Sequence, residues 1–278
     1  MATDGRPYTR AELMVTAAAR EIHDGDVVFV GMRLPLLGFQ LAKSTHAPNA
    51  VGVYELGITR DSPAPAPILT MGDLPNLYRA QWLADTADVM GLLQRGRVDV
   101  SFIGGAEVDR FGNLNTTLLG IGGTEPGRIE TRLPGSGGAC DLASLARRHI
   151  IIMAHEKRRF VPRVAYVTSP GYGEGAGWRE RVGLRWGGPV AVITTLGVLR
   201  FDPDTREMIL ASIHPGVAVE AVLDATGWPL RVPSPFDCRS GSLRTGAADL
   251  APSATPEPTP EELAMLRRFD PQGFWTGN

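Results

Sequence analysis

The pattern of the first 57 residues restricts the fold more than any other stretch: it reads helix, strand, helix, strand. Residues 8–23 place Leu13, Ala17, Ala18 and Ile22 at helical spacing, and Thr9 with Glu12 makes a capping-box pair. Asp24-Gly25-Asp26 stops that helix. Val27-Val28-Phe29-Val30 is then an unbroken apolar run of strand length, closed by Gly31. A second helix spans Leu36 to Ser44, entered through Leu34-Pro35 with proline in a first-turn role. Val51-Gly52-Val53-Tyr54 is the second buried strand. This alternation builds a parallel sheet with right-handed crossovers.

The second strand runs into Glu55-Leu56-Gly57. A parallel strand that ends on a carboxylate and a tight turn puts that side chain at the carboxyl edge of the sheet. Open α/β sheets bind their ligands at that edge. A glutamate there serves as nucleophile, as general base or as a solvated turn residue, and this stretch alone leaves the three open.

Further along, Pro63, Pro65, Pro67, Gly72 and Pro75 make residues 60–75 an extended loop beside the Glu55 turn, either functional or a mobile lid. A helix is expected over 76–95 and a strand over 98–103, closed by Gly104-Gly105. Asp109 to Asn113 has the composition of a turn. A second glycine cluster, 135–139, precedes a short helix at 140–147. Strands are expected at 149–154, 164–167, 189–194, 198–201 and 208–213, with a short helix at 219–226. The expected organisation is an α/β domain over 1–232, a low-complexity surface segment over 233–259, and a C-terminal helix and tail over 260–278. The fold class is α/β, an open and mostly parallel sheet flanked by helices, followed by a Pro/Ser/Gly-rich C-terminal segment.

Composition excludes some functions. With 28 basic against 30 acidic residues and a formal charge of −2, nothing suggests a nucleic-acid groove. No apolar run reaches membrane-spanning length. The first twenty residues hold Asp4, Arg6, Arg10, Glu12 and Arg20 and lack an apolar signal region, so a cytoplasmic protein is expected, without nucleic-acid or membrane partners. Cys140 and Cys238 form no metal-ligand pair and read as reduced thiols, so no metal site is expected.

Among the motifs, Gly135-Ser136-Gly137-Gly138-Ala139 presents backbone N–H groups to a developing oxyanion or a phosphate, or serves as a flexible connector. It is no P-loop, because no Gly-Lys-Ser/Thr follows, and Gly31 starts no dinucleotide fingerprint. His155-Glu156 lacks the second histidine of a zincin, since position 159 is arginine. Lys157, Arg158 and Arg159 can meet a phosphate or an acidic partner surface, or form a solvated cluster.

Several ordered stretches together resemble one family, the class I coenzyme A transferases, and within it the beta (B) subunits of glutaconate CoA-transferases. They are Val30-Gly31 with Leu34-Pro35-Leu36, Glu55-Leu56-Gly57, Gly72-Asp73-Leu74, Ile103-Gly104-Gly105-Ala106 and Gly112-Asn113-Leu114-Asn115. Gly135-Ser136-Gly137-Gly138-Ala139, His155 to Phe160, Thr168-Ser169-Pro170-Gly171 and Arg179-Glu180-Arg181 complete the set. The resemblance implies that Glu55 is a covalent nucleophile in a ping-pong exchange of coenzyme A between an acyl-CoA, dicarboxylic or branched, and a carboxylic acid. It implies N–H donors from Gly135, Ser136, Gly137, Gly138 and Ala139 at the thioester oxygen, and orientation of the thioester by Asn113 or Asn115. It implies no bound cofactor, the coenzyme A thioester being a substrate, and a separate alpha (A) subunit in a hetero-oligomer. One departure is Leu56, where the family usually carries Ser or Asn. The same fold also serves acyl-CoA hydrolases, decarboxylases and, outside enzymes, ligand-sensing or regulatory subunits.

Overall fold

The capping box at Thr9 starts the first helix: the Thr9 hydroxyl accepts from the Glu12 N–H, and Glu12 reaches back to the Thr9 N–H. The computed structural model describes residues 5–121, 129–184, 186–233 and 252–277. Helix α1 (Arg10–Ala19) leads to strand β1 (Val27–Val30), helix α2 (Leu34–Ser44) and strand β2 (Val51–Tyr54), the order expected from the sequence.

Strands β1 and β2 pair in parallel. Beyond them the expected 76–95 helix is replaced by a meander at the sheet edge. Strand β3 (Ile58–Arg60) turns back antiparallel to β2, a one-turn helix α3 (Leu74–Leu77) follows, and β4 (Trp82–Leu83) pairs antiparallel with β3. Only then does helix α4 (Thr86–Gln94) begin, at an Asp85–Asp88 capping box. Strand β5 (Val100–Ile103) lies against β1 on its other side.

Two small antiparallel pairs stand off the main sheet. One is β6 (Glu107–Val108) with β7 (Leu114–Asn115), the other β8 (Leu118–Ile121) with β9 (Ile129–Arg132). Helix α5 (Ala139–Leu145) returns the chain to β10 (Arg148–Met153), parallel to β5. Residues 164–167 form no strand, against expectation; the Ala165 N–H donates to the Glu107 carboxylate of β6, and a bridge just beyond joins Ser169 to Leu114 of β7. After the one-turn helix α6 (Trp178–Arg181) come β11 (Pro189–Thr194), β12 (Gly197–Phe201), β13 (Met208–Ile213) and helix α7 (Val219–Asp224).

The main sheet has the order β14-β13-β12-β11-β10-β5-β1-β2-β3-β4, where β14 is Ser253–Ala254. Its five central strands, β11 to β2, are parallel, and antiparallel strands flank them on both sides. Most of the expected 233–259 surface segment lies outside the described residues. Its end, however, belongs to the sheet: β14 pairs with β13, and the Thr255 hydroxyl bonds His214 and Ser212 in the interior.

Alternate side chains of the parallel strands face opposite layers. Val28, Val30, Tyr54, Phe102 and Ile152 pack under α1, α2 and helix α8 (Pro260–Phe269). Phe29, Val53, Ile103, Ile151 and Met153 pack against α4, α5 and α7. Helix α8 is tied down by ion pairs of Arg20 with Glu262 and of Arg267 with Glu12. No helix among the described residues is long and apolar enough to cross a membrane.

Candidate active site

Glu55 stands directly after β2, at the carboxyl edge of the parallel core. The chain reverses at once into β3, closed by a hydrogen bond from the Gly57 N–H to the Tyr54 carbonyl. Gly57 has φ +96° and lies so close to the Ala84 carbonyl that no side chain fits. The turn is thereby fixed, and the half-buried Glu55 carboxylate projects from a rigid strand end.

The second glycine cluster meets it there. A Cβ added at Gly138 would lie 3.0 Å from Glu55 Oε1. Gly138 is the residue before α5, so the carboxylate sits against the backbone where that helix begins. Gly135 and Gly137 have φ +97° and +48°, and no atom lies within 4 Å of where their Cβ would be. Glycine is needed here for the backbone path and leaves open space beside it. Within the cluster, the Gly135 N–H is held by the Thr116 carbonyl and the Ala139 N–H by the Ser136 carbonyl. The N–H groups of Ser136, Gly137 and Gly138 make no hydrogen bond among the described residues.

Asn113 and Asn115 have another employment. The Asn113 amide donates to Asp109 and to the Gly173 carbonyl, and its oxygen accepts from the N–H of Gly171 and Gly173. The Asn115 amide donates to Glu107 and the Leu118 carbonyl, and its oxygen accepts from the N–H of Thr117 and Leu118. An amide side chain offers two donors and two lone pairs, so both are fully engaged inside the protein. Neither retains a group with which to orient a thioester, and their role shifts to holding the turns around the site. Burial pushes the Asp109 carboxyl up, against the hydrogen bonds from Asn113 that pull it down.

Two arginines that residue patterns left without a role support this frame. Arg179 is buried, and its guanidinium donates to the carbonyls of Trp186, Gly171 and Ala143. It therefore links the body of α5 to the turn that Asn113 organises. Arg60 is buried as well and donates to the carbonyls of Ser62, Pro63, Asn76 and Tyr78. The proline-rich loop beside Glu55 is thus pinned at both ends rather than free to act as a lid. Leu56, next to the glutamate, and Leu69, Leu74, Tyr78, Trp82 and Leu83 along the following loop and β4 are all exposed.

His155 is not placed as a metal ligand. Its ring bonds the hydroxyls of Thr194 and Thr226 and stacks on Phe160, and burial holds its pKa down at about 4. Lys157 and Arg158 are exposed, whereas Arg159 turns inward. It lines an open cleft of about 310 Å³ with Gly105, Ala106, Thr116, Pro134 and Gly135.

At the sheet edge the Glu55 carboxylate thus lies against a glycine loop in which the N–H groups of Ser136, Gly137 and Gly138 make no hydrogen bond among the described residues. The coenzyme A transferase family model matches residues 11–225. The chain belongs to the coenzyme A transferase family. Within that family it is 41% identical over 225 residues to the B subunit of 3-oxoadipate CoA-transferase from Pseudomonas knackmussii, covering 81% of this chain and 85% of that protein. It is 38% identical over 231 residues to the B subunit of glutaconate CoA-transferase from Acidaminococcus fermentans, covering 81% and 85%. The crystal structure of that organism's glutaconate coenzyme A-transferase matches with TM-score 0.84 at 33% identity, covering 98% of both chains. The decarboxylase AibA/AibB matches with TM-score 0.75 at 28% identity, covering 96% of this chain and 97% of that chain.

Proposed function

We propose that this chain is the beta subunit of a CoA-transferase that moves coenzyme A between an acyl-CoA and a carboxylic acid through a thioester on Glu55. The observation that carries the reading is the 3.0 Å approach of Glu55 Oε1 to the Cβ position of Gly138. It supports the reading because the carboxylate lies against the loop whose N–H groups at Ser136, Gly137 and Gly138 make no hydrogen bond among the described residues.

The chemistry follows from that pairing. Glu55 attacks the acyl-CoA carbonyl and expels CoA thiolate, leaving an acyl-glutamyl anhydride. The thiolate attacks the glutamyl carbonyl of the anhydride, releasing the first carboxylate and leaving a glutamyl-CoA thioester. An acceptor carboxylate then runs the two steps in reverse. Each intermediate keeps the activation of the original thioester, so no phosphate donor is needed. Each addition develops an oxyanion, and the unbonded N–H groups of the glycine loop are the donors that would stabilise it. Contacts to the remote part of coenzyme A supply binding energy used at the reacting bond.

The sequence relatives are B subunits, and Leu56, Tyr78 and Trp82 are exposed along the chain that follows the glutamate. Both support a companion alpha subunit that covers these side chains and completes the site. The test is exchange of coenzyme A to acetate by the co-purified two-subunit complex. Glu55→Gln is expected to lower exchange by at least about 1,000-fold, as loss of a covalent nucleophile does. The similarity to AibA/AibB favours one competing reaction, decarboxylation of an acyl-CoA. Carbon dioxide release without coenzyme A exchange would decide for it.

A further inference from the structure

The Glu55 carboxyl group has an apolar neighbour that the covalent steps above do not use. Helix α4 starts against the Glu55 turn: the Ala84 N–H donates to the Gly57 carbonyl at 2.9 Å, and Gly57 lies against the Ala84 carbonyl. The Asp85–Asp88 capping box begins the helix from that fixed point. Val89 and Leu93 are fully buried on its inner side and anchor it to the layer that also holds Leu142 and Ala143 of α5. Met90 is half-buried and packs on the same layer. Its methyl carbon Cε lies at van der Waals distance, 3.6 Å, from the Cβ position of Gly138, which Glu55 Oε1 approaches to 3.0 Å and Glu55 Cδ to 3.5 Å. The Glu55 carboxyl group, the Gly138 backbone and the Met90 methyl group thus meet where β2, α4 and α5 converge.

A thioether offers a carboxylate neither a hydrogen-bond donor nor a charge, so Met90 does not activate Glu55. It fills space with an unbranched apolar side chain that adapts its shape to its neighbours. That matters at one stage of the exchange. While Glu55 carries coenzyme A, its carbonyl carbon is an activated electrophile. Attack by water forms a carbon–oxygen bond there and breaks the carbon–sulfur bond. The thiolate leaves and takes one proton of the water, the other proton goes to solvent, and the Glu55 carboxylate returns with the thioester lost. Active sites suppress such side reactions by excluding water. The glycine loop does not provide that cover, because Gly135 and Gly137 leave open space beside the backbone.

We propose that Met90 is a specificity-determining residue: its methyl group covers the Glu55 carboxyl carbon on the α4 side, so that an acceptor carboxylate and not water reacts with the glutamyl thioester. This rests on the reading of Glu55 as the carrier of coenzyme A, and it names what decides between transfer and hydrolysis at that site.

The experiment uses the two-subunit complex with glutaryl-CoA. Two rates are measured, formation of acetyl-CoA with acetate present and release of free coenzyme A thiol with acetate absent. The readout is the ratio of release to transfer. Met90→Ser removes the sulfur and the methyl group and leaves a hydroxyl that binds water. It is expected to raise the ratio about 10-fold, the lower end of what one lost apolar group in a pocket changes in discrimination between two reactants. Met90→Ala opens room for a water, whose share of volume is about 30 Å³, and should raise the ratio to a similar extent. Met90→Leu restores the apolar bulk and should bring the ratio back towards the wild-type value. An unmoved ratio in either small variant overturns the assignment. So does an equal fall of both rates, which is loss of packing alone, or a rise in Met90→Leu as large as in Met90→Ser. Trapping of coenzyme A on the wild-type Glu55 peptide checks the underlying chemistry separately. A trapped adduct with an unmoved ratio sinks the role of Met90 alone, and no adduct sinks the reading of Glu55.

Discussion

The two glycine-rich stretches look alike in sequence and do opposite work. Around Gly104–Asn115, the space beside the glycines is filled by the protein. A Cβ at Gly105 would meet Leu114 at 2.8 Å, and one at Gly112 would meet Phe201 and Pro189 at 2.8 Å. The polar side chains there, Asn113 and Asn115, have every donor and acceptor engaged. Around Gly135–Ala139, two glycines face open space, three N–H groups are unused, and the one close neighbour is the Glu55 carboxylate. Glycine in the first stretch permits tight packing. In the second it leaves open space beside the backbone. Composition cannot tell these apart; what lies opposite each glycine does.

That contrast can be broken by substitution. Asn113→Ala strips the partners from Asp109, Gly171 and Gly173 in a buried turn. It should cost about 4 kcal/mol of unfolding free energy, read as a lower denaturation midpoint of the complex. A small effect would return Asn113 to the ligand-contacting residues. Gly112→Ala meets both positive φ and packed rings and should cost about 3 kcal/mol, while Gly135→Ala meets positive φ alone and should cost about 1 kcal/mol. Equal costs would remove the distinction between a packed and an open stretch.

The packed interior is also the pH-sensitive side. Burial lowers the pKa of His149 to about 3 and of His155 and His214 to about 4, from an ordinary 6.5. Folded values below the unfolded one mean that the unfolded chain takes up protons the native protein refuses. Stability is therefore complete above pH 6.5 and is lost as pH falls towards 4. Between pH 7 and 6 the three together should cost about 2 kcal/mol, measured by thermal melting across that range. Replacing His149 by glutamine should flatten part of this slope. On the open side, Gly138→Ala is compatible with the backbone there (φ −76°) and should leave melting unchanged. Its methyl group reaches the Glu55 carboxylate, so kcat/KM should fall about 10- to 100-fold through misplacement of the reacting group.

Much of this was legible in the chain itself. Thr9 and Glu12 are three residues apart, and their capping box is local. The apolar runs at 27–30 and 51–54 declare buried parallel strands, and Glu55 stands at the end of one. What escaped is long-range. Ile58-Thr59-Arg60 is a three-residue strand in a proline-rich context, held between β2 and β4 and by Arg60, which finds carbonyls up to 18 residues away. Val164 to Val167 has strand-forming side chains, but no neighbouring edge is offered to it. The saturation of Asn113 depends on Gly171 and Gly173, and the meeting of Thr116 with Arg159 depends on how three loops converge. No spacing rule registers such contacts.

The most direct test of the account is the mass of the peptide that carries Glu55, taken from the two-subunit complex after acyl-CoA is added. A covalent coenzyme A adduct on Glu55, lost in Glu55→Gln and convertible to the alcohol by borohydride, is the expected result. Turnover with an unmodified Glu55 peptide, or with the label on another residue, would contradict it.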